Sequence, residues 1–132
     1  MPSVLITGAN RGLGLEFARQ YSTDGWAVVA TARESSPELE QLGVRVEQLD
    51  MRDFDAVARF GNRLDSLDLL IANAGTYGPR SVTTREDGEA WLETFAVQTV
   101  GPFTSGKERA LACSSMRAKP AIPTIGERTI TN

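Results

Sequence analysis

The run Thr7-Gly8-Ala9-Asn10-Arg11-Gly12-Leu13-Gly14 follows directly on the apolar Val4-Leu5-Ile6, and that order permits few folds. Glycines at the end of a strand allow a tight turn and close approach of one backbone segment to another or to a ligand. When a helix begins in the same run, its free N–H groups face an anion with no side chain between. The segment therefore predicts a strand, a phosphate-holding turn and a helix. Ordinary turn geometry is the alternative for such glycines taken alone.

The rest of the chain repeats the pattern. Four apolar runs, Ser3–Thr7, Ala27–Ala32, Val44–Leu49 and Leu67–Ala72, alternate with stretches of helical period, which is the signature of successive βαβ units and a parallel sheet. Leu13, Phe17 and Tyr21 recur at four-residue spacing and predict a helix stripe against the sheet, ended by Asp24-Gly25. A short helix is expected from about Pro37 to Leu42. Another is marked by Phe54, Val57, Ala58 and Leu64, with Asp53 as N-cap and Asp55 near the positive end of its dipole. A polar loop is expected from Gly75 to about Gly88, followed by a helical face of Trp91, Leu92, Phe95, Ala96, Thr99 and Phe103. These aromatics read as core or interface residues.

Composition narrows the function. The chain of 132 residues, 41% hydrophobic, suits one compact domain. A net charge of −3, with no cluster of Lys and Arg among aromatics, argues against a nucleic-acid surface. No apolar run approaches the roughly 20 residues that span a bilayer, and Val4-Leu5-Ile6 is too short for a signal core. The single Cys113 points to a reducing compartment, so a cytoplasmic protein is expected. The absence of His and the lone Cys disfavour a structural metal site.

Beyond Phe103 the composition changes. Residues 1–103 hold nine arginines, no lysine and fifteen acidic residues, a balance of −6, whereas residues 104–132 hold five basic and two acidic residues, a balance of +3. Large apolar residues are sparse there and Pro120 and Pro123 interrupt the run. Residues 1–103 are expected to form the domain and residues 104–132 a poorly ordered tail. A truncation, splice or frame shift would produce such a tail, as would an ordinary flexible terminus.

Three motifs in order now identify a likeness. Thr7, Gly8, Gly12 and Gly14 satisfy Thr-Gly-x-x-x-Gly-x-Gly; Asp50 ends the third strand in Gln48-Leu49-Asp50-Met51; and Asn73-Ala74-Gly75 follows the fourth. Residues 3–103, about three quarters of the chain, resemble the N-terminal half of a classical short-chain dehydrogenase/reductase, closest to the C-factor-like branch. The resemblance implies an α/β, Rossmann-like, doubly wound parallel sheet, truncated, with strand order 3-2-1-4 for the part present. It implies a dinucleotide cofactor held by Thr7, Gly8, Asn10, Arg11, Gly12, Leu13 and Gly14 at the pyrophosphate, by Asp50 and Met51 at the adenine, and by Asn73, Ala74 and Gly75 along one wall. Capping of the turn before Phe54 is the alternative for Asp50, and a partly structural role is the alternative for Asn73.

Charge points to the cofactor. An NAD site presents a carboxylate to the ribose at the end of the second strand, whereas a 2′-phosphate needs cations. Thr31-Ala32-Arg33 has Ala32 where the acid would stand, and Arg33 and Arg11 supply cations, so NADP(H) is expected before NAD; Glu34 just beyond weighs the other way. Solvated surface arginines are the alternative.

The catalytic residues that the resemblance implies are not found. Four residues after Tyr21 stands Gly25, and four after Tyr77 stands Ser81, so neither tyrosine makes Tyr-x-x-x-Lys. Ser114-Ser115 resembles the family's serine segment but no strand pattern leads into it, a chance match being the alternative, and Gln98 stands where the family carries a helix Asn. No catalytic residue is assigned. These residues alone are expected to bind cofactor without transferring hydride, as part of an oxidoreductase of carbonyl or alcohol substrates. A non-catalytic binding or signalling module is the alternative. Leu67–Ala72 is expected as an exposed edge strand, and a homodimer or pairing with a full-length relative through the Trp91, Phe95 and Phe103 face is the expected partnership.

Overall fold

The structure, a computed structural model, describes residues 1–79 and 85–100. Phe103, Ser114-Ser115 and the expected tail lie outside these. Strands β1 (Ser3–Thr7), β2 (Ala27–Ala32), β3 (Arg45–Gln48) and β4 (Leu69–Ile71) form one parallel sheet in the order β3-β2-β1-β4. Helices α1 (Gly12–Thr23), α2 (Pro37–Glu40) and α3 (Phe54–Arg63) connect them, and α4 (Arg85–Phe95) follows β4 and runs into a π-helical turn at Ala96–Val100. The doubly wound α/β fold and the strand order agree with expectation. β3 and β4 are shorter than the apolar runs that marked them, with pairing confined to Arg45–Gln48 and Leu69–Ile71.

β1 is paired on both sides, with Ser3–Thr7 opposite Ala27–Thr31 and Val4–Ile6 opposite Leu69–Ile71. Successive side chains of a strand leave opposite faces, so β1 feeds two cores. Val4 and Ile6 pack with Ala18, Val28, Ala30 and Leu39, while Leu5 packs with Leu49, Met51, Val57, Phe60 and Leu64. A fully buried aliphatic side chain of this kind contributes about 1.5–3 kcal/mol. That is why both faces of the sheet need helices, and why β1 reads as an unbroken apolar run rather than an alternation.

Local signals set the helix ends. Ser36 caps α2, its hydroxyl accepting from Leu39 N at 3.3 Å, and Pro37 follows at the first helical position. Asp53 caps α3 by accepting from Ala56 N at 2.9 Å, with Asp55 in the first turn, as expected. α1 ends where Trp26 N donates to Tyr21 O at 2.9 Å across Gly25, which holds a φ of +80°. The Tyr21 and Trp26 rings meet edge to face, 4.9 Å apart.

Two expectations need correction. Leu13 is 72% exposed and is not part of the packed stripe. Four-residue spacing drifts about 40° per step on a helix, and the stripe is centred on Gly14, Ala18 and Tyr21, with Phe17 at its side and Leu13 beyond its margin. The expected loop to Gly88 ends earlier, because α4 already begins at Arg85 and Gly88 lies within it. A helical interior tolerates an isolated glycine at a modest cost. α3 forms where Phe54, Val57, Ala58 and Leu64 marked it; its buried face is Val57, Phe60 and Gly61, with Leu64 just beyond, and Phe54 at its start is 37% exposed.

A Cβ at Gly88 would meet nothing within 4 Å. Gly88→Ala is therefore expected to raise stability by about 0.5–1 kcal/mol through helix propensity and a less free unfolded chain. Thermal denaturation followed by circular dichroism checks this, and a lower melting point would mean that α4 does not form as described.

Trp91, Leu92 and Phe95 are 46%, 72% and 57% exposed, so they are not core residues among the described segments. Within the described sheet β4 forms one edge, as expected. No helix among the described residues is long and apolar enough to cross a membrane.

Candidate nucleotide site

At the C-terminal ends of the strands the loops after β1 and β4 are bound together. Thr7 closes β1 and is buried to 1% exposure; its Oγ1 accepts from Asn73 N at 3.1 Å and from Ala74 N at 3.0 Å. The Asn73 side chain returns the contact, its Nδ2 donating to Thr7 O at 3.1 Å and Gly8 O at 3.0 Å. Gly8 and Gly14 make this approach possible. A Cβ on Gly8 would lie 2.7 Å from Ala74 Cα, and one on Gly14 would lie 2.3 Å from Gly8 O and 2.5 Å from Asn73 Nδ2. These two glycines serve backbone packing.

Gly12 is different. Its φ is +57°, and a Cβ there would meet nothing within 4 Å. It opens α1, whose N-cap Arg11 is extended and supplies no side-chain hydrogen bond, and no acidic residue occupies the first turn. Uncapped first-turn N–H groups beside an open glycine fit an anion, because the helix end carries about half a positive charge. The residues present thus fit the phosphates of a nucleotide.

A cleft of about 930 Å³ opens over these elements, near the upper end of the roughly 300–1,000 Å³ found for ligand sites. Of the residues expected to hold a ligand, Gly8, Asn10, Arg11, Gly12, Arg33, Asp50, Met51, Asn73, Ala74 and Gly75 line it. Thr7, Leu13 and Gly14 do not: Thr7 is buried beneath the loop, Gly14 is pressed on Gly8, and Leu13 faces away from the α1 stripe. Ala32, in the place of the expected acid, lines the cleft together with Arg33 and Glu34.

Several contributors were not expected. Ser36 Oγ donates to Asn10 O at 2.7 Å and so ties the glycine loop to the start of α2. Gln48 Nε2 donates to Arg33 O at 2.9 Å and fixes the backbone that carries the arginine. Gln98, within the π-helical turn, donates through Nε2 to Thr76 O at 2.6 Å, joining that turn to the loop after β4. Each joins residues distant in sequence, so no local signal marked these contacts, although Ser36-Pro37 is a helix-start signal and Gln98 was singled out for its place in the family pattern.

Arg52 is the other unexpected element. Its guanidinium binds the Asp50 carboxylate, with Nη2 to Oδ2 at 2.6 Å, and also pairs with Glu93 of α4. The Arg52 side chain holds the Asp50 carboxyl below the usual carboxylate range, partial burial opposing it and the charge of Arg33 helping. A carboxyl depressed in the folded state stabilises above its unfolded pKa of about 3.9 and loses that contribution as pH falls through the lower folded value. Asp68, which accepts from Ser3 N at 2.7 Å, is depressed likewise by that bond. Asp50→Asn is therefore expected to flatten, but not abolish, the loss of stability below about pH 4. Urea melts at pH 3 and pH 6 measure this; an unchanged difference would deny Asp50 its part.

The profile of the family described as short chain dehydrogenase matches residues 2–116. The short chain dehydrogenase gsfK of Penicillium aethiopicum is 33% identical over 118 residues, covering 78% of this chain and 47% of the relative. Among solved structures, a short-chain dehydrogenase/reductase from Burkholderia multivorans with bound NADP is 27% identical with a TM-score of 0.69, over 83% of this chain and 52% of that one. A 4-hydroxyisoleucine dehydrogenase complexed with NADH, 24% identical, shares the fold with a TM-score of 0.72 over 86% of this chain and 50% of that one. The chain spans between a quarter and a half of the length of such curated relatives. With a glycine-bearing turn locked to the loop after β4, an open helix N-terminus and a family match over most of its length, this chain belongs to the short-chain dehydrogenase family.

Proposed function

We propose that the chain binds NADP(H) and supplies the nucleotide-binding part of an oxidoreductase acting on carbonyl or alcohol substrates. The observation that carries this is the open, positive-φ Gly12 at the uncapped start of α1, on the same cleft as Arg11 and Arg33. The pyrophosphate belongs over Gly12 and the α1 N-terminus, with Asn10 and Gly8 beneath it. The adenosine ribose then lies toward the end of β2, where Ala32 offers no carboxylate and Arg33 offers a cation to a 2′-phosphate. Asp50 and Met51, at the end of β3, take the base, and Asn73, Ala74 and Gly75 wall the far side. When bound, the cofactor supplies the hydride chemistry; these residues bind and orient it.

The family likeness and the NADP bound in the Burkholderia multivorans structure support the reading, and Glu34 on the same cleft is the feature against a 2′-phosphate. Because no Tyr-x-x-x-Lys occurs in these 132 residues, they are expected to bind without turnover when tested alone.

Calorimetric titration with NADPH and NADH tests the assignment. A hydrogen bond to a charged group contributes roughly 1.5–3 kcal/mol, so Arg33→Ala is expected to weaken NADPH about 10- to 100-fold and NADH by less than about threefold. Equal losses would remove the preference for NADP(H). Oxidation of NADPH by any aldehyde or ketone with the purified 132-residue chain would overturn the expectation of binding without turnover.

A further inference from the structure

At the β3 end of the cleft, Arg52 engages both oxygens of the Asp50 carboxylate through three donors, the Nε–H being shared between them. A carboxylate offers about four acceptor positions. Asp50 Oδ1 accepts from Arg52 N at 2.9 Å and Nε at 3.0 Å, and Oδ2 accepts from Nε at 3.1 Å and Nη2 at 2.6 Å. The remaining arm, Nη1, donates to Glu93 Oε1 on α4. One guanidinium thus joins the end of β3 to a helix across the cleft, and all three residues line that cleft.

Sheet order says what meets this contact. With phosphates at the β1–α1 turn and a ribose at the end of β2, the next group outward stands at the end of β3, because the order is β3-β2-β1. That group is the base. Resting on the nucleotide reading above, we propose that Arg52 is a specificity-setting latch: an amino group on the base reaches Asp50 only after the guanidinium gives up part of its hold on Asp50 and Glu93. Side-chain exposures of 33% for Asp50, 41% for Arg52 and 51% for Glu93 leave the contacts open to water, so release is cheap and the latch tunes affinity without blocking binding.

Recognition of the amino group isolates the effect. NADPH and its deamino analogue, in which hypoxanthine replaces adenine, are titrated against the wild-type chain, Arg52→Met and Glu93→Gln, each first shown to be folded by circular dichroism. Removing a cation near a polyanion shifts both ligands together, so the readout is the ratio of their affinities. In the wild type this ratio is expected within about twofold of one. In Arg52→Met it is expected to rise about three- to tenfold in favour of NADPH, and in Glu93→Gln to rise by less. An unchanged ratio in both variants overturns the latch alone. Absence of binding of either dinucleotide to all three proteins overturns the nucleotide reading, and the latch with it.

Discussion

Gly14→Ala is expected to cost about 2–4 kcal/mol of stability, although alanine is the better helix former at that position by about 1 kcal/mol. The added Cβ would lie 2.3 Å from Gly8 O, 2.5 Å from Asn73 Nδ2 and 3.0 Å from Ala9 Cα. Overpacking a close-packed site costs about 1–3 kcal/mol by itself. Here the atoms that must move are the two partners of a hydrogen bond, Asn73 Nδ2 and Gly8 O at 3.0 Å, so relieving the clash also breaks the bond between the two loops. Gly12→Ala is the comparison: its Cβ has open space, and only the left-handed φ of +57° opposes it, at about 1–2 kcal/mol. Thermal melts should rank wild type above Gly12→Ala and Gly12→Ala above Gly14→Ala. If Gly14→Ala melts as high as Gly12→Ala, the two loops are not packed as described.

Thr7→Val is the second large effect, expected at about 1–2 kcal/mol from removal of one oxygen. Valine keeps the shape and β-branching of threonine, so the apolar contacts survive. What it removes is the acceptor of Asn73 N and Ala74 N. Asn73 N keeps a bond to Ile71 O at 3.0 Å, whereas Ala74 N has its described acceptor in Thr7 Oγ1. A donor left without a partner costs about 1–3 kcal/mol when buried, and the half-buried Ala74 N–H falls at the low end of that range. Chemical denaturation compares Thr7→Val with Thr7→Ser, which keeps the hydroxyl and loses a methyl. The valine variant should be the less stable of the two; the opposite order would make the Thr7 methyl, not its oxygen, the important group.

Much of this was legible in the sequence, and the residues show why. β1 and β2 were read to their observed bounds because short apolar runs, Val4-Leu5-Ile6 and Ala27-Val28-Val29-Ala30, flanked by polar turns leave little choice of register. Asp53 was legible because capping is a local matter of three residues. Leu13 was misread because four-residue spacing was followed literally, while the packed face centres on a glycine, which carries no hydrophobic signal. Arg52, Gln48 and Ser36 went unseen because their roles depend on partners 41, 15 and 26 residues away. Asp50 itself was found, but the guanidinium that occupies it was not, since charges two residues apart on a loop carry no period.

The double burial of β1 has a consequence for how the glycine turn behaves in time. Hydrogen-bonded to a strand on each side and packed into both cores, β1 belongs to the part of such a domain whose amides exchange with solvent only when the whole structure opens. Thr7 is the last residue of that strand and Gly8 turns directly out of it with a φ of +68°, and Asn73 clamps the carbonyls of both. The turn therefore inherits the slow opening of the strand, and a phosphate would find its N–H donors already in place rather than having to order them.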